Sequence, residues 1–199
     1  MKEGAPMRAT PLIFAFAAVA LLGGCNRQDA AQPPVAIHAG DTSVTCGMYI
    51  TDAPGPRAEA YIDGAKIPLK FGSTRDLFVF AETPEMAHRM QSLYVQDTAR
   101  IDWAHPSKSA DTFIDARKAY YVGWQPLAGM MGPTLASFAK RDDAKAFIRL
   151  HGGELLTFRQ VTPDVVAALG YRCPNSDHFA KACAVKPVAG LSHSGPATE

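Results

Sequence analysis

Residues 134–158 read TLASFAKRDDAKAFIRLHGGELLTF. TLASFA has strand character. DDAKAFIRLH, residues 142–151, reads as a helix with two acids in its first turn, at the positive end of the helix dipole. Gly152-Gly153 then stops the helix, and a further strand begins within residues 154–161. Upstream, AYYVGW at 119–124 is strand-like. Placing Phe138-Ala139 on Phe80-Ala81, an offset of 58 residues, superposes this helix on one expected at 84–93, with Met86 on Ala144 and Met90 on Ile148. The pattern predicts an α+β fold made of tandem strand-strand-helix repeats. Each unit is too small to bury a large core alone, so two small packed α/β units are expected, with a cleft between them as the default site.

The first half has the same grammar. AEAYIDGAKIPLKF, residues 58–71, suggests two short strands about the Asp63-Gly64 turn, a dipeptide suited to hairpin backbone angles. DLFVF at 76–80 reads as a strand. PEMAHRMQSL at 84–93 reads as a helix with Thr83 as N-cap, Pro84 in the first turn and Glu85 at the positive end of the dipole. Residues 94–101 return to strand character. The expected division is a signal peptide over 1–24, an acylated anchor and flexible tether over 25–43, a first unit over 44–104, a second over 105–161, and a C-terminal extension over 162–199.

The leader supports export. Lys2 and Arg8 precede an apolar run from Leu12 to Leu22, then Gly23, Gly24 and Cys25. That run is shorter than the roughly 20 apolar residues of a membrane span. Leu22-Gly23-Gly24-Cys25 resembles a bacterial lipoprotein box, which makes Cys25 the acylated anchor; the alternative is an ordinary secretory signal cut nearby. Asn26, not an aspartate, follows Cys25, which favours the outer membrane over the inner. Pro33-Pro34 and small polar residues give 26–43 the composition of a tether.

The chain carries 20 Lys and Arg against 19 Asp and Glu. Removing the leader with Lys2, Arg8 and Glu3 leaves the charges balanced, and no basic block remains to track phosphates. No nucleic-acid partner is expected. In an oxidising compartment Cys173 and Cys183 can pair as a disulfide, which leaves Cys46 odd.

Cys46 stands in TCGMYI, residues 45–50. On a strand Cys46 and Met48 share a face; in a turn, Gly47 lets the backbone curl round one point. Either arrangement suits monovalent copper, which favours thiolate and thioether donors, and either also suits plain core packing. QPLAGMMGP at 125–133 boxes Met130 and Met131 between glycines on a loop. A methionine pair there serves no periodic core, and either residue is a candidate third donor.

Taken together, CGM, GPRAEAYID, FGSTRDLFVF, YVQD, AYYVGW with its nearby Met-Gly, and AFIRLHGGELLTF resemble the NosL family, lipoprotein accessory factors of nitrous oxide reductase. The likeness spans residues 44–160. It implies a periplasmic carrier of Cu(I) that supplies the reductase's copper-sulfur centre, with a membrane copper or sulfur transport complex as a further partner. It implies Cys46, Met48 and Met131 as metal ligands; the alternatives are Met130, from the composition of the same loop, and His178, from the tail beyond the likeness. Trp124 and Pro133 stand where family members often have a serine and a polar residue, commonly histidine, so this loop offers no histidine. Tyr120, Tyr121 and Trp124 read as aromatic packing, with shielding of a copper site as the alternative for Trp124.

The tail YRCPNSDHFAKAC, residues 171–183, lies outside the likeness. Cys173, His178 and Cys183 form a possible metal set there, against a Cys173–Cys183 disulfide or free thiols. His88, His151, Asp76, Asp97 and Asp102 read as helix or strand-end residues. Two other functions compete: a thiol-dependent enzyme with Cys46 as nucleophile, for which no activating histidine stands nearby in the sequence, and an envelope adaptor that binds no metal.

Overall fold

The Asp63-Gly64 turn forms as expected: Gly64 has φ +73° and Ala65 N–H donates to Ile62 C=O. It joins β1 (Ala58–Ile62) to β2 (Leu69–Phe71), which pair antiparallel. The computed structural model describes residues 31–170 together with Met1. After β2 come α1 (Thr74–Ala81), the single turn α2 (Pro84–Ala87), β3 (Met90–Gln96) and β4 (Phe113–Asp115). Then follow β5 (Tyr120–Gly123), β6 (Ala128–Gly129), β7 (Gly132–Pro133), β8 (Ala136–Phe138), α3 (Arg141–His151), β9 (Glu154–Thr157) and α4 (Pro163–Ala168).

The strands form one antiparallel sheet in the order β2-β1-β3-β4 and a second in the order β8-β5-β9, with β6 and β7 as a separate hairpin. In both main sheets the first strand lies at the centre, the second beside it, and a helix leads to the strand on the other side. One apolar core joins them: Ala58, Phe71, Leu93 and Val95 of the first sheet pack with Tyr121 and Leu156 of the second. The mixed α+β class and the packing of the two sheets therefore agree with the sequence reading.

The correspondence at an offset of 58 does not hold. Phe80 lies in α1, whereas Phe138 lies in β8. Helix α1 starts at the N-cap Ser73 and α3 at the N-cap Lys140. DLFVF is helical because Ser73 Oγ accepts the Asp76 N–H at 3.2 Å and starts a helix that buries Leu77 and Phe78 while Val79 faces out. The helix expected over 84–93 is cut to one turn. Met90 already pairs with Ile62, and Leu93 with Ala60, because burial on the sheet outweighs helix propensity there.

The expected boundaries also move. Residues 32–43, read as tether, pack on the first sheet: Ile37 is buried, Tyr61 and Tyr94 hydroxyls donate to the Pro33 and Gln32 carbonyls, and Ile37 N–H donates to Lys108 C=O. β4 pairs with β3, so the first sheet extends past residue 104. Helix α4, assigned to the extension, buries Val165 and Val166 in the common core.

Candidate metal centre

The Cys46 segment closes on itself. Ser43 N–H donates to Met48 C=O at 2.9 Å, and Gly47 N–H returns to Ser43 C=O at 2.7 Å. Gly47 has φ +73°, a left-handed conformation that glycine adopts without a Cβ clash. The turn alternative for Cys46-Gly47-Met48 is thus the one observed. Val44 N–H donates to Lys70 C=O at 2.9 Å, which hangs the turn on β2. Cys46 is half-buried; Met48 and Tyr49 are exposed.

Met130 and Met131 form the two-residue tip of the β6–β7 hairpin, between paired Gly129 and Gly132. Met131 has φ +67°, and this sends the neighbouring side chains different ways: Met130 is buried at 7% exposure, whereas Met131 is 60% exposed. Cys46 Sγ donates to Met130 Sδ at 3.8 Å. The sulfur brought against Cys46 is therefore that of Met130. Met48 and Met131 line the same open cleft of about 580 Å³, with Tyr49, Asp52 and Pro54.

The hairpin is braced from below. Gln125 Nε2 donates to the Leu127 and Thr134 carbonyls at 2.9 and 3.0 Å, while its Oε1 accepts the Leu127 N–H. Trp103 Nε1 donates to Ala128 C=O at 2.8 Å, and Trp103 C=O accepts the Gly55 N–H. Across the cleft, buried Arg57 fixes the wall. Its guanidinium donates to the carbonyls of Ile50, Thr51, Ala53, Pro106 and Ser107. Burial pulls the Arg57 pKa down from its usual value.

Trp124 does not cap this cleft: it lies in the main core and donates Nε1–H to Ala168 C=O. Trp103 is the indole beside the methionine hairpin, and no spacing rule in the sequence marks it. Among the described residues no three His, Cys, Asp or Glu side chains gather to hold an ion. A site on this cleft would draw on sulfur. Cys25, Cys173, His178 and Cys183 lie outside the described residues.

Comparison with known proteins agrees with this architecture. Residues 34–166 match the model of the NosL family. The copper-binding lipoprotein NosL of Stutzerimonas stutzeri is 41% identical over 144 residues, covering 70% of this chain and 73% of that protein. The copper-binding lipoprotein NosL of Achromobacter cycloclastes is 33% identical over 159 residues, covering 77% and 81%. The crystal structure of the copper chaperone NosL from Shewanella denitrificans superposes with a TM-score of 0.62 at 40% identity. It covers 65% of this chain and 95% of that one.

Proposed function

Because the chain belongs to the NosL family, we propose that it is a copper-binding carrier of the cell envelope whose cargo, Cu(I), sits between Cys46 and Met130. The observation that carries this reading is the 3.8 Å approach of Cys46 Sγ to Met130 Sδ. Two metal–sulfur bonds of about 2.3 Å, at an angle between tetrahedral and trigonal, place their sulfurs about 4 Å apart. The pair is thus spaced to share one ion. Thiolate with thioether is a donor set for monovalent copper, whereas calcium takes oxygens.

Met48, on the same cleft, supplies a further thioether, and Met131 stands exposed on the rim. A site with few donors and an open side releases its ion by ligand exchange: an acceptor's ligand enters through the cleft before the carrier's leaves. The receiving protein is nitrous oxide reductase, whose copper-sulfur centre is the destination. A membrane copper or sulfur transport complex is a second partner. Acylated Cys25 holds the carrier to the periplasmic face of the envelope, at the outer membrane. The carrier reading is favoured over a Cys46-dependent enzyme because the group against the Cys46 thiol is a thioether, which cannot act as a general base.

Anaerobic incubation of the Cu(I)-loaded mature chain with copper-free nitrous oxide reductase tests the proposal. Copper should pass to the reductase from the parent and fail to pass from Cys46→Ser loaded under the same conditions. Equal acquisition from both chains contradicts it.

A further inference from the structure

Gly72, between β2 and the N-cap of α1, lies against Met130 and is bonded to Ser43, the residue that closes the Cys46 turn. Its backbone N–H donates to Ser43 Oγ at 3.2 Å. Ser43 is buried, and its own N–H and C=O close the turn that carries Cys46. The bare α-carbon of Gly72 meets the other donor. A Cβ built there would lie 1.9 Å from Met130 Sδ, 3.0 Å from its Cε and 3.1 Å from its Cβ. The Met130 side chain therefore lies along the face that Gly72 leaves vacant.

The same corner seats the rest of the hairpin. Arg75 N–H donates to Thr134 Oγ1 at 3.2 Å, and the Cβ of Ser73 comes within 3.5 Å of where a Gly129 Cβ would stand. Gly72 has no left-handed φ to explain the missing side chain. Space for Met130 explains it.

We infer that Gly72 is a positioning residue of the copper site: it anchors the Cys46 turn through its N–H and, by lacking a side chain, lets the Met130 thioether reach Cys46. This inference rests on the reading of Cys46 and Met130 as copper donors. The clash in Gly72→Ala falls chiefly on the far end of a flexible side chain, so Met130 swings away while the backbone keeps its path.

The test is anaerobic Cu(I) competition against a chelator, with X-ray absorption of the copper-loaded protein. The chains compared are the parent, Cys46→Ser, Met130→Leu, Gly72→Ala and the double variant Gly72→Ala/Met130→Leu. Gly72→Ala should lose one sulfur scatterer, keep the thiolate–copper absorption band and weaken binding by about 10-fold. In the Met130→Leu background the same change should weaken binding by less than about 3-fold, because the thioether it displaces is already gone.

Parent-like affinity and sulfur count in Gly72→Ala overturn the inference. So does a weakening that persists undiminished without Met130, the mark of a general structural defect. Parent-like binding by Cys46→Ser instead overturns the underlying reading of the site, so the two failures are distinguishable.

Discussion

Glu59 stands directly opposite Lys70 across β1 and β2, yet the Lys70 ammonium is bonded to the Asp41 carboxylate and the Ala36 carbonyl. Glu59 is fully buried. One of its oxygens accepts the Val35 N–H at 3.0 Å, and the other has no hydrogen-bond partner among the described residues. Burial pushes the Glu59 pKa up to about 7, against the Val35 hydrogen bond and the nearby Lys70 charge, with Asp41 adding to the rise. Burial also works against the Asp41 charge, but the His38 N–H and Lys70 outweigh it and hold that carboxyl below its usual range.

The sign of the pH effect follows. Between its unfolded value near 4.5 and about 7, Glu59 is protonated in the folded chain and ionised in the unfolded one. Its contribution is fully present below that window and is lost as pH rises through it. Asp41 acts in the opposite direction, losing stability at lower pH. Urea unfolding at pH 5 and pH 8 should therefore show Glu59→Gln losing a pH-dependent component on the order of 1–3 kcal/mol relative to the parent. Hydrogen exchange in residues 32–38 should slow in the parent as pH falls through the same window, after correction for the intrinsic rate. A parent and variant with parallel pH profiles contradict this account of Glu59.

Arg57 donates to five backbone carbonyls at two loops, and no carboxylate is among those partners. Lysine keeps the charge but cannot supply the planar fork. Arg57→Lys should destabilise the fold by about 2–4 kcal/mol, measured by urea unfolding, because several buried carbonyls lose their donor. A change under about 0.5 kcal/mol would show that the loops hold themselves.

Trp103 bonds Ala128 C=O and lies stacked on Phe147 at 6.1 Å between ring centroids. Trp103→Phe retains the aromatic face and removes the indole N–H. It should cost about 1 kcal/mol of stability, and exchange of the β6–β7 amides should rise more than that of the β5 amides. Uniform exchange changes would show that the indole does not brace the hairpin.

Much of this architecture is legible in the residues. The Asp63-Gly64 turn, β5, β8, α3 with its Gly152-Gly153 stop, and β9 all follow local signals that the packing does not oppose. The misread stretches are those where local and tertiary forces disagree. Aromatic DLFVF looks like a strand until the Ser73 cap is noticed, and 90–93 looks helical until its partner β1 is in place. Pro33-Pro34 reads as tether because composition says nothing of the Tyr61 and Tyr94 hydroxyls that receive it.

The candidate site divides in the same way. Cys46, Met48 and the glycine-flanked methionine pair are visible as a pattern, but adjacent Met130 and Met131 differ only in where the turn sends them. That direction depends on the φ of +67° at Met131 and on the vacant face of Gly72, neither of which spacing encodes.

The central claim, that Cys46 and Met130 together hold Cu(I), is tested most directly by anaerobic chelator competition on the mature parent, Cys46→Ser, Met130→Leu and Met131→Leu. Cys46→Ser should lose most affinity, because it removes the charged donor, and parent binding should weaken as pH falls, because the thiol must lose its proton to bind. Met130→Leu should weaken binding by about 10-fold or more, and Met131→Leu by clearly less. Parent-like affinity in both Cys46→Ser and Met130→Leu, or a loss confined to Met131→Leu, contradicts the account.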